Sequence, residues 1–160
     1  MYIPFDELPA HARLWIYQAS RPLTEAEQTE IKSLMQNFAT DWSSHGKGLQ
    51  SSANLLYNRF LVLANNESET SASGCSIDKS VHFVKELEQR FGISFFDRSQ
   101  LAFLNEEEVQ TIPMSELKYN VEAGFIKSDT LYFDTLVNNY GDLQQEWPRP
   151  ASNSWLSRYF

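Results

Sequence analysis

One cysteine in the chain leaves no partner for an intramolecular disulfide, and Cys75 with three scattered histidines makes a poor zinc site. No run approaches the roughly 18 to 20 consecutive apolar residues that a membrane helix needs. The opening MYIPFDELPAH has neither a basic segment nor an apolar one behind it, so no secretory signal is expected. Positive charge is scarce as well: 13 Lys and Arg face 21 Asp and Glu, for a formal net charge of −8. A field of that sign repels nucleic acid and anionic lipid, and no basic cluster interrupts it. Nucleic-acid binding and membrane insertion are therefore not expected, and the absence of disulfides points to the cytoplasm. No motif implies a cofactor or a metal. The longest charge run, Glu106-Glu107-Glu108, reads as a solvated loop.

What is present is a core. Hydrophobic residues make up 42% and aromatics 14% of 160 residues, enough for one globular domain spanning 1–160 without disulfide or metal. RLWIYQ (13–18) alternates as a strand. Thr24 with Glu27 forms a capping-box pattern, and Ile31, Leu34, Met35, Phe38 and Trp42 follow at helical spacing, which predicts a helix from Glu25 to Asp41 or Trp42. SSHGKGLQ (43–50) breaks it. ANLLYNRFLVLAN (53–65) is apolar on both faces and reads as one central buried strand. A second helix is expected from near Ser76 to Gly92, with Ile77, Val81, Val84, Leu87 and Phe91 as its buried stripe. Strands near 100–104 and 109–112, a short helix after Pro113, and a last strand in DTLYFDTLV complete the order. The prediction is an α+β fold: a two-layer sandwich with a mixed sheet of about four to five strands and two main helices. Residues 146–160 hold prolines and two tryptophans and are expected to wrap the body as a tail.

Two short stretches invite a phosphate-loop reading, and both fail it. A nucleotide loop of the form G-x-x-x-x-G-K-[ST] cradles phosphates with backbone N–H groups and a lysine. With Lys79-Ser80 in the last two places, Asp78 occupies the second glycine position and Ser73 the first. HGKGLQ puts Gly48 where a magnesium-binding hydroxyl belongs.

SASGCSIDKSV (71–81) holds the chain's one thiol at a helix start. Unpaired N–H groups and the positive end of the helix dipole favour a thiolate there. Cys75 is therefore a candidate nucleophile, with Ser76 or Cys75 itself as cap and Asp78 in the first turn. His45, in the glycine loop, is the candidate base, with Asp78 or Asp41 to orient it. Ser73, Gly74, Ser76, Trp42 and Arg98 complete a candidate site for a small anionic ligand. The plain alternative is that Cys75 is a small apolar residue in a tight turn. No C-x-x-C redox pair and no C-x5-R phosphatase loop are present. Three further contacts are expected to be structural: Asp97 with Arg98, Asp78 with His82 one helical turn on, and Glu88 with Arg90 or Arg98.

LWIYQASRPL, WSSHG, ASGCSIDKSV, FFDR and SWLSRYF together resemble a family of small Bacteroidetes-type bacterial proteins that carry the label "ABC transporter ATPase". The resemblance spans nearly the whole chain and implies a shared fold; its label implies a nucleotide-dependent activity. Beside the anionic-ligand reading stands a second, a non-catalytic interaction module built on Trp147, Trp155, Tyr159 and Phe160.

Overall fold

The computed structural model describes residues 1–160. In chain order its elements are β1 (Arg13–Gln18), α1 (Glu25–Asp41), β2 (Ser43–Ser44), β3 (Lys47–Gly48), β4 (Gln50–Leu56), β5 (Phe60–Asn66), α2 (Gly74–Phe91), β6 (Gln100–Asn105), β7 (Glu108–Pro113), α3 (Leu117–Glu122), β8 (Leu131–Tyr132), α4 (Tyr140–Gln145) and β9 (Arg149–Pro150). Short 3-10 turns lie at both ends of the chain and before α3.

The first helix starts as its spacing predicts. The Thr24 hydroxyl accepts from the Glu27 N–H at 3.2 Å, and the Thr24 N–H donates to the Glu27 carboxylate at 2.9 Å. Arg21 grips the same carboxylate through two N–H groups at 2.8 and 2.9 Å. That clamp, joined by the Thr24 N–H, holds the Glu27 pKa down at about 2. Ile31, Met35 and Ala39 form the buried face of α1.

The α+β class holds, but the single mixed sheet does not form. The strands divide into a three-stranded sheet of order β1-β5-β4, a two-stranded ribbon β2-β3, and a four-stranded sheet of order β7-β6-β8-β9. Every ladder is antiparallel. The expected strand over 53–65 is a hairpin. Tyr57 and Asn58 both take positive φ, 54° and 58°, and the Arg59 N–H closes the turn on the Leu56 carbonyl at 3.0 Å. The apolar alternation runs straight through this turn because both strands carry apolar residues up to it, and no glycine marks it. Arg59, itself buried, anchors the hairpin to the end of β1 through the Ala19 and Ser20 carbonyls, each at 3.1 Å.

The three-stranded sheet is covered on both sides. Leu55, Leu61 and Leu63 pack against Ile31, Met35, Trp42, Val84 and Leu87 of the two long helices. Leu14, Val62 and Ala64 face Leu8, Val137, Tyr140 and Leu143 on the other side. Phe60 stacks on Phe133 at 4.7 Å and joins the two larger sheets. In DTLYFDTLV only Leu131 and Tyr132 pair as a strand, and β9, not this segment, is the last strand. Residues 151–160 pack on the body through two anchors: Ala151 and Leu156 are fully buried in a cluster with Leu101, Phe103 and Leu117. No helix is long and apolar enough to cross a membrane.

Candidate functional site

The start of α2 closes on itself. The helix begins at Gly74, two residues before the expected Ser76, and its cap is Ser73, not Ser76 or Cys75. Ser73 Oγ accepts from the Ser76 N–H at 3.2 Å, while Ser76 Oγ accepts from the Ser73 N–H at 2.7 Å and donates to the Ser73 carbonyl at 2.8 Å. The Ile77 N–H goes to the Ser73 carbonyl at 2.9 Å. Only the N–H groups of Gly74 and Cys75 remain as free donors of the first turn. The serine pair does what a Ser…Glu box does, with a shorter side chain at the third position.

Trp42 and Ser76, both candidates, do meet. The buried Trp42 Nε1–H donates to the Ser76 carbonyl at 2.8 Å and fastens the end of α1 to the first turn of α2. That contact makes Trp42 a tie between helices. His45 sits at the tip of the β2-β3 ribbon with φ 51°, followed by Gly46 at 78°, the paired positive values of a tight hairpin. The ribbon packs beside α2. His45, Cys75 and Asp78 are all exposed, and no hydrogen bond joins His45 to Cys75. Asp78 and His82 share no hydrogen bond or ion pair, contrary to expectation. His82 instead lines an open groove of about 460 Å³ between α1 and α2, with Asp41, Lys79 and Glu86 on its rim and the Phe38–Phe83 stack (4.5 Å) at its floor.

In neither phosphate-loop near-miss do the lysine and the residue after it fall at the loop-to-helix junction. Lys79 and Ser80 are inside α2, with the Ser80 hydroxyl bonded to the Ile77 carbonyl at 2.5 Å. Lys47 and Gly48 form β3. No three His, Cys, Asp or Glu side chains converge as metal ligands would.

Arg98 belongs to a different place. It lines a cleft of about 200 Å³ between the outer edge of β1 and the four-stranded sheet, whose walls include Tyr17, Phe96, Leu101, Tyr132 and Trp155. None of residues 73–78, nor His45, lines it. Arg98 makes no salt bridge, so the expected Asp97–Arg98 pair is absent. Asp97 turns back on its own chain and accepts from the Ser99 hydroxyl at 2.6 Å and the Ser99 N–H at 2.9 Å, which lowers its pKa. Glu88 pairs with neither arginine: its carboxylate accepts from the Phe95 N–H at 2.7 Å and shapes the approach to the cleft. Arg90 pairs with Glu30 across the two long helices.

Two tyrosines line the cleft together with Gln18, Asp97, Gln100 and Thr135. Burial raises the pKa of Tyr17, and a hydrogen bond with Ser80 and the charge of Arg98 pull it partly back. Burial raises Tyr132 further, against the hydrogen bond from Trp155. Tyr132 Oη accepts from Trp155 Nε1–H at 3.1 Å, so its own proton remains to donate. Both phenols are neutral donors at pH 7. Sequence reasoning singled out Arg98, took Trp155 only as part of an interaction surface, and missed Tyr17 and Tyr132. Tyr17 read as one face of a strand, Tyr132 as part of a longer strand and Trp155 as tail; only the fold brings them to one hollow.

Comparison with protein-family models, with curated proteins and with solved structures finds no match for this chain.

Proposed function

We propose that this protein binds a small anionic ligand with an apolar or aromatic body in the cleft beside β1, with Arg98 as the counter-ion. One observation carries the reading: an unpaired guanidinium stands at a partly enclosed aromatic hollow. The exposed guanidinium meets the ligand's charge at the rim, while the rings cover the ligand's body. The Tyr132 hydroxyl adds a neutral donor beside the same space. The probe is 3-phenylpropanoate, titrated into the ¹⁵N-labelled protein and followed by amide shifts. Saturable shifts at Tyr17, Arg98 and Tyr132 that vanish in Arg98→Gln support the reading. No shift at millimolar probe removes it.

A second reading keeps the anion at the start of α2, with Cys75 as nucleophile. It is supported by the exposed thiol and by the free N–H groups of Gly74 and Cys75. A thiol that titrates near the ordinary cysteine value of about 8.5 and reacts no faster than a free thiol ends it. The interaction-module reading loses most of its surface, because Trp147, Trp155 and Tyr159 are half-buried and Phe160 alone of the four is exposed. It rests instead on Tyr119 and Phe125, 68% and 71% exposed. The nucleotide-dependent activity implied by the family resemblance calls for thermal stabilisation by ATP with magnesium, and a flat response removes it.

A further inference from the structure

The cleft offers more than a cation and a set of rings: one of its walls is an open strand edge. In the β1–β5 ladder Arg13 faces Asn65, Trp15 faces Leu63 and Tyr17 faces Leu61. The ladder continues with the Ala19 N–H on the Arg59 carbonyl at 2.7 Å, so odd-numbered residues of β1 bond inward to β5. Even-numbered residues therefore point their N–H and C=O groups outward. The Leu14 N–H confirms this, since it donates away from the sheet to the Asn138 carbonyl at 2.9 Å. The outer edge is thus closed at one end by Asn138. At the other end the Gln18 side-chain amide crosses to the Gln100 carbonyl at 3.1 Å. Between these closures Ile16 presents its N–H and its C=O to the cleft, and no strand pairs with them.

An unpaired edge is a template for another extended chain. The free stretch here is short. It has room for the paired donor and acceptor of one residue, so it suits a chain end better than a chain passing through. Arg98 makes no ion pair and suits a carboxylate, whereas Asp97, which lines the same cleft, has its Oδ1 occupied by the Ser99 N–H and hydroxyl; the choice of end rests on the unengaged guanidinium. The walls favour an apolar last side chain. Leu136 and Met114, 58% and 39% exposed, line the same cleft and give the preceding residues an apolar path out.

We infer that the cleft captures the C-terminal residue of an extended peptide, its main chain pairing with Ile16 on the free edge of β1 and its carboxylate meeting Arg98. This inference rests on the anion site proposed above and specifies its ligand. The test compares three probes on the ¹⁵N-labelled protein: acetyl-Ala-Ala-Phe with a free carboxylate, the same peptide as its C-terminal amide, and 3-phenylpropanoate, which keeps ring and carboxylate but has no peptide bond. The acid peptide is expected to bind about tenfold or more tighter than either other probe, with the Ile16 amide shifting and gaining protection from hydrogen exchange. In Arg98→Gln the acid and amide peptides bind alike. If the acid peptide binds no tighter than 3-phenylpropanoate, or binds without moving the Ile16 amide, the peptide inference falls and the anion site stands. If no probe binds, both fall.

Discussion

The start of α2 and the cleft beside β1 are built from similar parts, a few polar groups against aromatic side chains, and end in opposite states. At the helix start the serines face each other: Ser73 and Ser76 satisfy one another's N–H and hydroxyl groups, and Trp42 takes the Ser76 carbonyl. In the cleft the polar groups face outward. Arg98 has no carboxylate, Ile16 has no strand beside it, and Tyr132 has a proton to donate. The lesson is that binding capacity follows the hydrogen-bonding groups a fold leaves over, and a chemically suggestive residue type is a weaker guide. The open groove between α1 and α2 makes the same point from another side. It is larger, but its rim mixes Asp41 and Glu86 with Lys79 and His82, so it favours neither sign of charge.

The largest way to break this contrast is Trp42→Ala. Removing a buried indole and its hydrogen bond to Ser76 is expected to cost about 3–5 kcal/mol in urea unfolding. The protein that remains folded should still bind 3-phenylpropanoate with wild-type affinity; a parallel loss of binding would make the two regions one unit. Arg98→Gln reverses the pattern. Affinity for the probe should fall about tenfold or more, equivalent to about 1.4 kcal/mol, while unfolding free energy stays within about 0.5 kcal/mol because the side chain is exposed and unpaired. Ser73→Ala tests the cap alone, with an expected loss of about 1 kcal/mol and no change in the cleft.

The two long helices differ in how their starts respond to acid, which sharpens the picture further. The α1 cap uses a carboxylate whose pKa is lowered to about 2, from an ordinary value near 4.5. A group depressed in the folded state stabilises above its unfolded pKa, and that stabilisation is lost as pH falls through the folded one. Glu27→Gln should therefore be less stable than wild type at pH 7, with the gap closing as pH falls from about 4.5 toward 2. The all-serine cap of α2 should give Ser73→Ala the same deficit across that range. Chemical unfolding of both variants at several pH values measures this. The smallest effect belongs to Cys75→Ser: less than about 0.5 kcal/mol in stability and no change in probe binding. Loss of binding in that variant would return the ligand to the helix start.

What could be read in advance was local in its physics. The bounds of β1 and α1 follow from alternation and from a capping box whose partners are three residues apart, and Gly92 ends α2 through its own left-handed φ of 63°. The misreadings share a cause. The turn at Tyr57-Asn58 carries no glycine, so two buried strands looked like one. Two serines capping each other lack the acidic residue that makes a box recognisable, and α2 starts two residues before the spacing predicts. Arg98 stood out as a cation beside aromatics. Its neighbour Asp97 looked like its partner until the Ser99 turn claimed it.

By itself, then, the sequence determined the α+β class, the two long helices and the lack of a nucleotide loop, because each rests on patterns spanning a few residues. Tertiary structure decided that the strands divide into separate antiparallel sheets, that Ala151 and Leu156 anchor the tail, and that the open edge of β1 faces Arg98, Tyr132 and Trp155. Those outcomes depend on which strand finds which partner, and residues 16, 98, 132 and 155 meet only after that pairing is complete.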